Sequence, residues 1–171
     1  MIRLAEPADL PHLQDIEVAA GSIFRTLGMD AIADDPPPPI ALLESYRADV
    51  RAWVWATGSA PPVAYCLVDV VDGNAHIEQV SVHPDHRGQR IGASLIDHIA
   101  EWARDRGLPE LTLTTFVGVP WNEPYYTRLR FGILADDDLG PGLRAVRKDE
   151  AAHGLDRWPR VAMTRHVPIE P

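Results

Sequence analysis

From Val80 to Leu95 the chain reads Val-Ser-Val-His-Pro-Asp-His-Arg-Gly-Gln-Arg-Ile-Gly-Ala-Ser-Leu. This is a strand, a proline-bearing turn, and a helix that opens through small residues. The chemistry it suits is anion capture. A helix start leaves backbone N–H groups unpaired and carries partial positive charge, while Gly88, Gly92 and Ala93 let a phosphate approach the backbone closely. Arg87 and Arg90 add charge at the same place. An ordinary glycine-bearing helix start would look similar, and the spacing makes neither a P-loop nor a Gly-x-Gly-x-x-Gly dinucleotide turn. Just upstream, strand alternation over Ala75 to Val82 puts His76, Glu78, Val80 and Val82 on one face. A carboxylate on a mostly apolar face is costly unless an arginine partners it or chemistry uses it. Other candidates are weaker. His83 and His86 sit three apart on a proline turn with no third ligand nearby, so they read as turn residues and no metal is expected. Cys66 is the single cysteine; it excludes an internal disulfide and a cysteine-based zinc cluster, and within an apolar strand it reads as a small core residue.

The elements that must position these residues are legible in outline. Ile2 to Ala5 is a short strand, and Pro7-Ala8-Asp9-Leu10-Pro11 opens a helix in which Asp9 can cap and Leu10, Leu13, Ile16 and Ala20 recur at helical spacing. Four consecutive prolines, Pro36 to Pro39, force a stiff loop before a second helix at Ile40 to Ala48. Three strands follow, at Arg51 to Thr57, Val63 to Val71 and Ala75 to Val82; Asp72-Gly73 between the last two is a tight-hairpin signal. Trp53 and Trp55 share one face of the first of them. A helix runs from Gly88 to Arg106 on the apolar positions Ile91, Leu95, Ile99 and Trp102, and Gly107 stops it. A strand at Glu110 to Phe116, a short helix at Asn122 to Leu129, a charged helical segment at Leu143 to His153 and a strand at Arg160 to Val167 complete the chain. The expected fold is a mixed, mostly antiparallel α/β sheet flanked by helices, in one domain over residues 1–171.

Two motifs carry a family resemblance. Arg87-x-x-Arg90-x-Gly92-Ala93 at the head of a long amphipathic helix resembles the acetyl-CoA signature of the Gcn5-related N-acetyltransferases (GNAT), usually Gln/Arg-x-x-Gly-x-Gly/Ala. Roughly 30 residues on, Asn122-Glu123-Pro124-Tyr125-Tyr126-Thr127-Arg128-Leu129-Arg130-Phe131 is similar to the family's Asn and aromatic-Tyr-x-x-x-Gly-Phe segment. Arg90 and Arg130 each stand where the family usually has glycine. The resemblance implies a sheet whose fourth and fifth strands splay apart, with the pantetheine arm of acetyl-CoA on the backbone near Val80 and Val82. It places the pyrophosphate at Arg87, Gly88, Gln89, Arg90, Ile91, Gly92 and Ala93. Glu78 becomes the candidate base for an amine, Tyr126 the acid for the departing thiolate, and Asn122 either a helix cap or a bond to CoA.

Composition bounds the partners. With 46% hydrophobic and 24% charged residues the 171-residue chain can bury a core, and a net charge of -9 argues against nucleic acid and anionic membrane. The expected acceptor is a small-molecule or peptide amine, attacked directly in a ternary complex, although Arg25, Arg47 and Arg51 could instead hold an acceptor carboxylate. A homodimer is compatible with this reading. The opening residues have no long apolar stretch, so a cytoplasmic location is expected. The competing readings are a non-catalytic CoA-binding regulatory module, and an acyltransferase with another donor or an oxygen nucleophile.

Overall fold

The Asp72-Gly73 pair does what its sequence predicts: both residues take left-handed backbone, φ 52° and 76°, and make a two-residue hairpin turn. It joins β3 (Ala64–Val71) to β4 (Asn74–Val82). The computed structural model describes residues 1–168. Before this hairpin lie β1 (Ile2–Leu4), α1 (Leu10–Gly21), α2 (Asp30–Ala33), α3 (Ile40–Ala48) and β2 (Ala52–Trp55). After it come α4 (Ile91–Arg104), β5 (Glu110–Phe116), α5 (Glu123–Arg128), β6 (Gly132–Leu134), α6 (Pro141–Ala152) and β7 (Arg160–His166). The strands form a seven-stranded sheet in the order β1-β2-β3-β4-β5-β7-β6. β1–β2, β2–β3, β5–β7 and β6–β7 are antiparallel, and β4–β5 is parallel. The mixed, mostly antiparallel sheet flanked by helices is therefore present.

Two compact units divide the chain: Met1–Val68 with Gln79–His98, and Asp69–Glu78 with the chain from Ile99 onward. In the first, Leu10, Leu13 and Ile16 of α1 and Leu43 and Tyr46 of α3 pack on Ala52, Val54, Tyr65 and Leu67 of the sheet. Glu17 of α1 adds a polar lock, accepting hydrogen bonds from the Tyr65 hydroxyl at 2.7 Å, the Ser81 hydroxyl at 2.6 Å and the Gln79 amide at 3.1 Å. The four-proline run is loop, as its sequence requires, and Pro38 accepts a bond from the Gln14 amide at 2.8 Å. In the second unit, Leu139 and Leu143 pack on Ala162, with Val71 and Leu134 alongside. Here the hairpin turn does a second job. The Asp72 carboxylate accepts the Gly142 and Leu143 N–H groups at 2.7 and 2.9 Å, capping α6 from outside its own segment. A Cβ on Gly142 would meet Val71 Cγ1 at 2.7 Å, so this approach needs glycine.

The structure departs from the sequence reading at several places. Asp9 precedes α1 but does not cap it with its side chain. Its carboxylate binds Arg3 at 2.6 and 3.0 Å and the Glu6 N–H at 2.8 Å instead. The segment between α1 and α3 holds a 3-10 turn at Ser22–Leu27 and the short α2. β6 is a further strand, too short at three residues to show alternation. α4 starts at Ile91, three residues later than expected, because Gly88 and Arg90 are left-handed, φ 76° and 60°. Trp53 is buried, its ring edge-on to His98 at 5.9 Å, and Cys66 is fully buried as expected, which pushes its thiol pKa well up.

One further non-glycine position is left-handed. Val50 closes α3 at φ 58°, a conformation that β-branched residues avoid, with its N–H on the Arg47 carbonyl at 3.0 Å and the Arg51 N–H returned to the Tyr46 carbonyl at 2.8 Å, and the residue is 47% exposed. Val50→Gly should therefore raise stability by ~1 kcal/mol, read as a higher urea midpoint at unchanged slope.

Candidate active site

The start of α4 follows from its residue types. Arg90 cannot extend the helix at φ 60°, so its carbonyl acts as the first acceptor, taking the Ser94 N–H at 2.9 Å and the Ser94 hydroxyl at 3.1 Å. The next three residues, Ile91, Gly92 and Ala93, are buried, and an α-helix supplies no acceptor for its first N–H groups. Arg87, Gly88, Gln89 and Arg90 are exposed around them. The approach is fixed by a single 3-10 turn at Pro84–His86 and by the His83 N–H bonded to the Val63 carbonyl at 2.8 Å. His83 itself accepts the Asp85 N–H, so it serves the turn. Among the described residues no group of three or more His, Cys, Asp and Glu side chains is placed to hold a metal ion.

β4 supplies the next group. Its parallel pairing with β5 covers Ala75↔Leu111 and His76↔Thr112, at the starts of both strands. Ala75, His76 and Ile77 are buried; Glu78 is the first residue to reach water, its side chain 47% exposed, and Val80 and Val82 are half-buried. The Glu78 carboxylate is accessible yet crowded by protein, and burial raises its pKa, with the acids Asp69 and Glu150 pushing the same way and Arg160 opposing. Among the described residues no arginine bridges it. The near neighbour is His76, whose Nε2 lies 3.8 Å from Glu78 Oε2. Burial lowers the pKa of His76, against the pull of Asp69, Glu150 and Asp72.

The third group is on α5. Tyr126 is half-buried, its ring T-shaped against Tyr125 at 5.3 Å and Phe131 at 5.8 Å. Arg130 is left-handed, φ 70°, and lets the Phe131 N–H return to the Tyr126 carbonyl at 3.1 Å, ending the helix and burying Phe131. Asn122 does not cap α5 with its side chain. Its amide donates to the Thr115 hydroxyl at 2.7 Å, while its Oδ1 is buried with no hydrogen-bond partner among the described residues. An orphaned buried acceptor is expensive, and a ligand amide or hydroxyl would satisfy it.

Sequence reasoning missed the surroundings of Glu78. Glu150 of α6 accepts bonds from the Thr114 hydroxyl, from Arg147 at 2.7 Å and from Arg160 at 3.2 Å. Burial would raise its pKa, but Arg160, Thr114 and Arg147 together hold it below the ordinary range. Asp69, His76, Thr112, Glu150 and Arg160 come from four strands and a helix, so no sequence spacing announces them.

The model of the acetyltransferase (GNAT) family matches residues 20–131, well over half of the chain. The chain belongs to that family. Solved structures agree in fold. A GNAT-family acetyltransferase from Staphylococcus aureus Mu50 has a TM-score of 0.74 at 13% identity, over 98% of this chain and 99% of that one. Rv2747 from Mycobacterium tuberculosis, in complex with CoA and NLQ, has a TM-score of 0.73 at 17% identity, over 98% and 99%. The ribosomal-protein-S18-alanine N-acetyltransferase from Escherichia coli has a TM-score of 0.68 at 17% identity, over 100% and 96%. In this GNAT chain, among the described residues, no helix is long and apolar enough to cross a membrane.

The raised pKa of Glu78 has a stability signature. Its charge is disfavoured in the folded state, so wild-type stability is fully present below the unfolded carboxylate pKa of about 4.3 and declines as pH rises through the higher folded value. Glu78→Gln should accordingly be more stable than wild type at pH 8, and the gain should vanish by about pH 3, where both states of wild type are protonated. Urea denaturation at the two pH values measures it.

Proposed function

We propose that this GNAT chain is an N-acetyltransferase that moves the acetyl group of acetyl-CoA to a primary amine of a small molecule or peptide, by direct attack in a ternary complex. The observation that carries the reading is Glu78: a water-accessible carboxylate with a raised pKa and no arginine bridge, on the strand that leads into the anion-capturing helix start. A binding module would have no need to keep so poorly stabilised a charge. The pyrophosphate is assigned to Arg87, Gly88, Gln89, Arg90 and the N–H groups of Ile91, Gly92 and Ala93, where exposed guanidinium groups and helix-start donors lie together in the sequence. The pantetheine amides are assigned to the β4 backbone at Val80 and Val82, and a further CoA donor to the orphaned Asn122 Oδ1.

In the reaction Glu78 takes a proton from the acceptor ammonium, directly or through one water. The freed amine attacks the thioester carbonyl, the tetrahedral adduct expels the CoA thiolate as the C–S bond breaks, the Tyr126 phenol donates the proton that the thiolate takes up, and the second proton of the attacking nitrogen returns to the tyrosinate through water as the amide forms. A raised carboxylate pKa suits this task, since it narrows the gap to an alkylamine near 10.4.

An amine is favoured over an anionic acceptor because the arginines that could hold a carboxylate are already occupied. Arg25 pairs with Asp30 and Asp34, Arg47 with Glu44, and Arg51 with Asp49. Glu17, by contrast, has only neutral donors among the described residues. The relatives are consistent with this assignment: one is a structure with CoA, and another is named for an alanine of a ribosomal protein.

A CoA-thiol release assay with acetyl-CoA and a panel of amines, polyamines, amino acids, peptides and aminoglycosides tests the reading. Turnover with an amine supports it; CoA binding without turnover on any acceptor would favour a regulatory module, and turnover restricted to longer acyl-CoAs a different donor. With an accepted amine, Tyr126→Phe should lower kcat by roughly 100-fold or more while acetyl-CoA affinity stays near wild type, because the hydroxyl acts only as the thioester breaks. Unchanged kcat with chemistry rate-limiting would remove the acid role.

A further inference from the structure

His76 lies at the point where β4 and β5 are last in register, paired with Thr112 and only 1% exposed. Its Nδ1 is 2.9 Å from the Thr112 hydroxyl and its Nε2 is 3.8 Å from Glu78 Oε2, so the imidazole stands between a hydroxyl and the carboxylate assigned above as the base. We propose that His76 is the positioning residue for Glu78: a neutral imidazole that accepts the Thr112 hydroxyl proton at Nδ1 and turns its Nε2–H toward the carboxylate. This rests on the reading of Glu78 as the base.

The surrounding charges select that tautomer. His76 faces Asp69 of β3, Asp72 of the hairpin turn and Glu150 of α6, all acidic, in addition to Glu78. With a carboxylate before Nε2, a lone pair there would be repelled, whereas an N–H is attracted. Burial keeps the ring from taking a second proton despite those acids. Glu78 in turn faces Asp69 and Glu150, which oppose its ionisation, with Arg160 of β7 as the charged counterweight. The Nε2–H is the second counterweight. At 3.8 Å it is too long for a resting hydrogen bond, and rotation of the half-exposed Glu78 side chain closes the gap. Thr112 supplies the orientation: its hydroxyl at Nδ1 holds the ring in place and donates to the bare nitrogen of the tautomer that the charges select.

The test is the pH dependence of kcat/KM with an accepted amine, for wild type, His76→Phe, His76→Gln and Glu78→Gln. Losing the N–H should raise the Glu78 pKa further, so His76→Phe moves the acid limb to higher pH, with kcat/KM about tenfold lower on that limb for a shift of about one unit. The deficit closes as pH rises, the KM for acetyl-CoA stays unchanged, and His76→Gln, which keeps an amide N–H, restores most of the loss. An acid limb that stays in place in folded His76→Phe, yet gives way in Glu78→Gln to a rise that follows the amine's own ionisation, overturns the role of His76 and leaves Glu78 as the base. A limb that keeps its wild-type position in Glu78→Gln overturns both. Independently of any substitution, 15N shifts of the wild-type imidazole should show the proton on Nε2; a proton on Nδ1 overturns the proposal.

Discussion

Parallel β4 and β5 share two register positions, Ala75↔Leu111 and His76↔Thr112, and the chemistry-bearing residues of β4 come at and after the place where that pairing ends. While a strand is paired and covered it can carry only side chains that tolerate burial, as Ala75 and Ile77 do. Two residues past the last pair a carboxylate is tolerated, because water reaches Glu78 even as crowding by protein raises its pKa. A backbone that leaves a ladder must also find other partners for its N–H and C=O groups. In the proposed function the pantetheine arm supplies those partners at Val80 and Val82.

The hairpin turn secures the same region from the other side. Asp72 shapes the β3–β4 connection with its backbone and holds the N-terminus of α6 with its carboxylate, so α6 is tied to β4. Glu150, one helical face further along α6, then meets Thr114, Arg147 and Arg160 in a cluster in which burial is offset by two guanidinium groups. The contrast with Glu78 is instructive. Burial disfavours the charge of both carboxylates, and the one with arginine bridges is pushed down while the one without is pushed up. That separation agrees with the base role proposed for Glu78.

The long helix, the short one and the Asp-Gly hairpin were legible because each rests on local chemistry: the Ile91, Leu95, Ile99 repeat, the Asn122 to Phe131 motif, two turn residues that favour left-handed backbone. Ile40–Ala48 and Glu110–Phe116 have the expected bounds, one set by prolines before it and the other by an apolar alternating run. Arg90 and Arg130 are instructive in the other sense. Each replaces a glycine of the family pattern, yet the backbone keeps the left-handed conformation that glycine would take freely, at a cost of about 1–2 kcal/mol apiece. The motif survives in φ where it is lost in residue type. What was not legible depends on tertiary pairing. β6 is three residues long, and His76, Thr112, Asp69 and Glu150 meet only through sheet register and helix docking.

Backbone amide hydrogen exchange, with and without acetyl-CoA, tests most directly whether the parted strand and the α4 helix start hold the acyl donor. Slowed exchange is predicted at Val80, Val82 and Ile91 to Ala93 on adding acetyl-CoA, with little change at the Gly142 and Leu143 amides that Asp72 caps. Binding that leaves those amides at their free rates while protecting another region would contradict it.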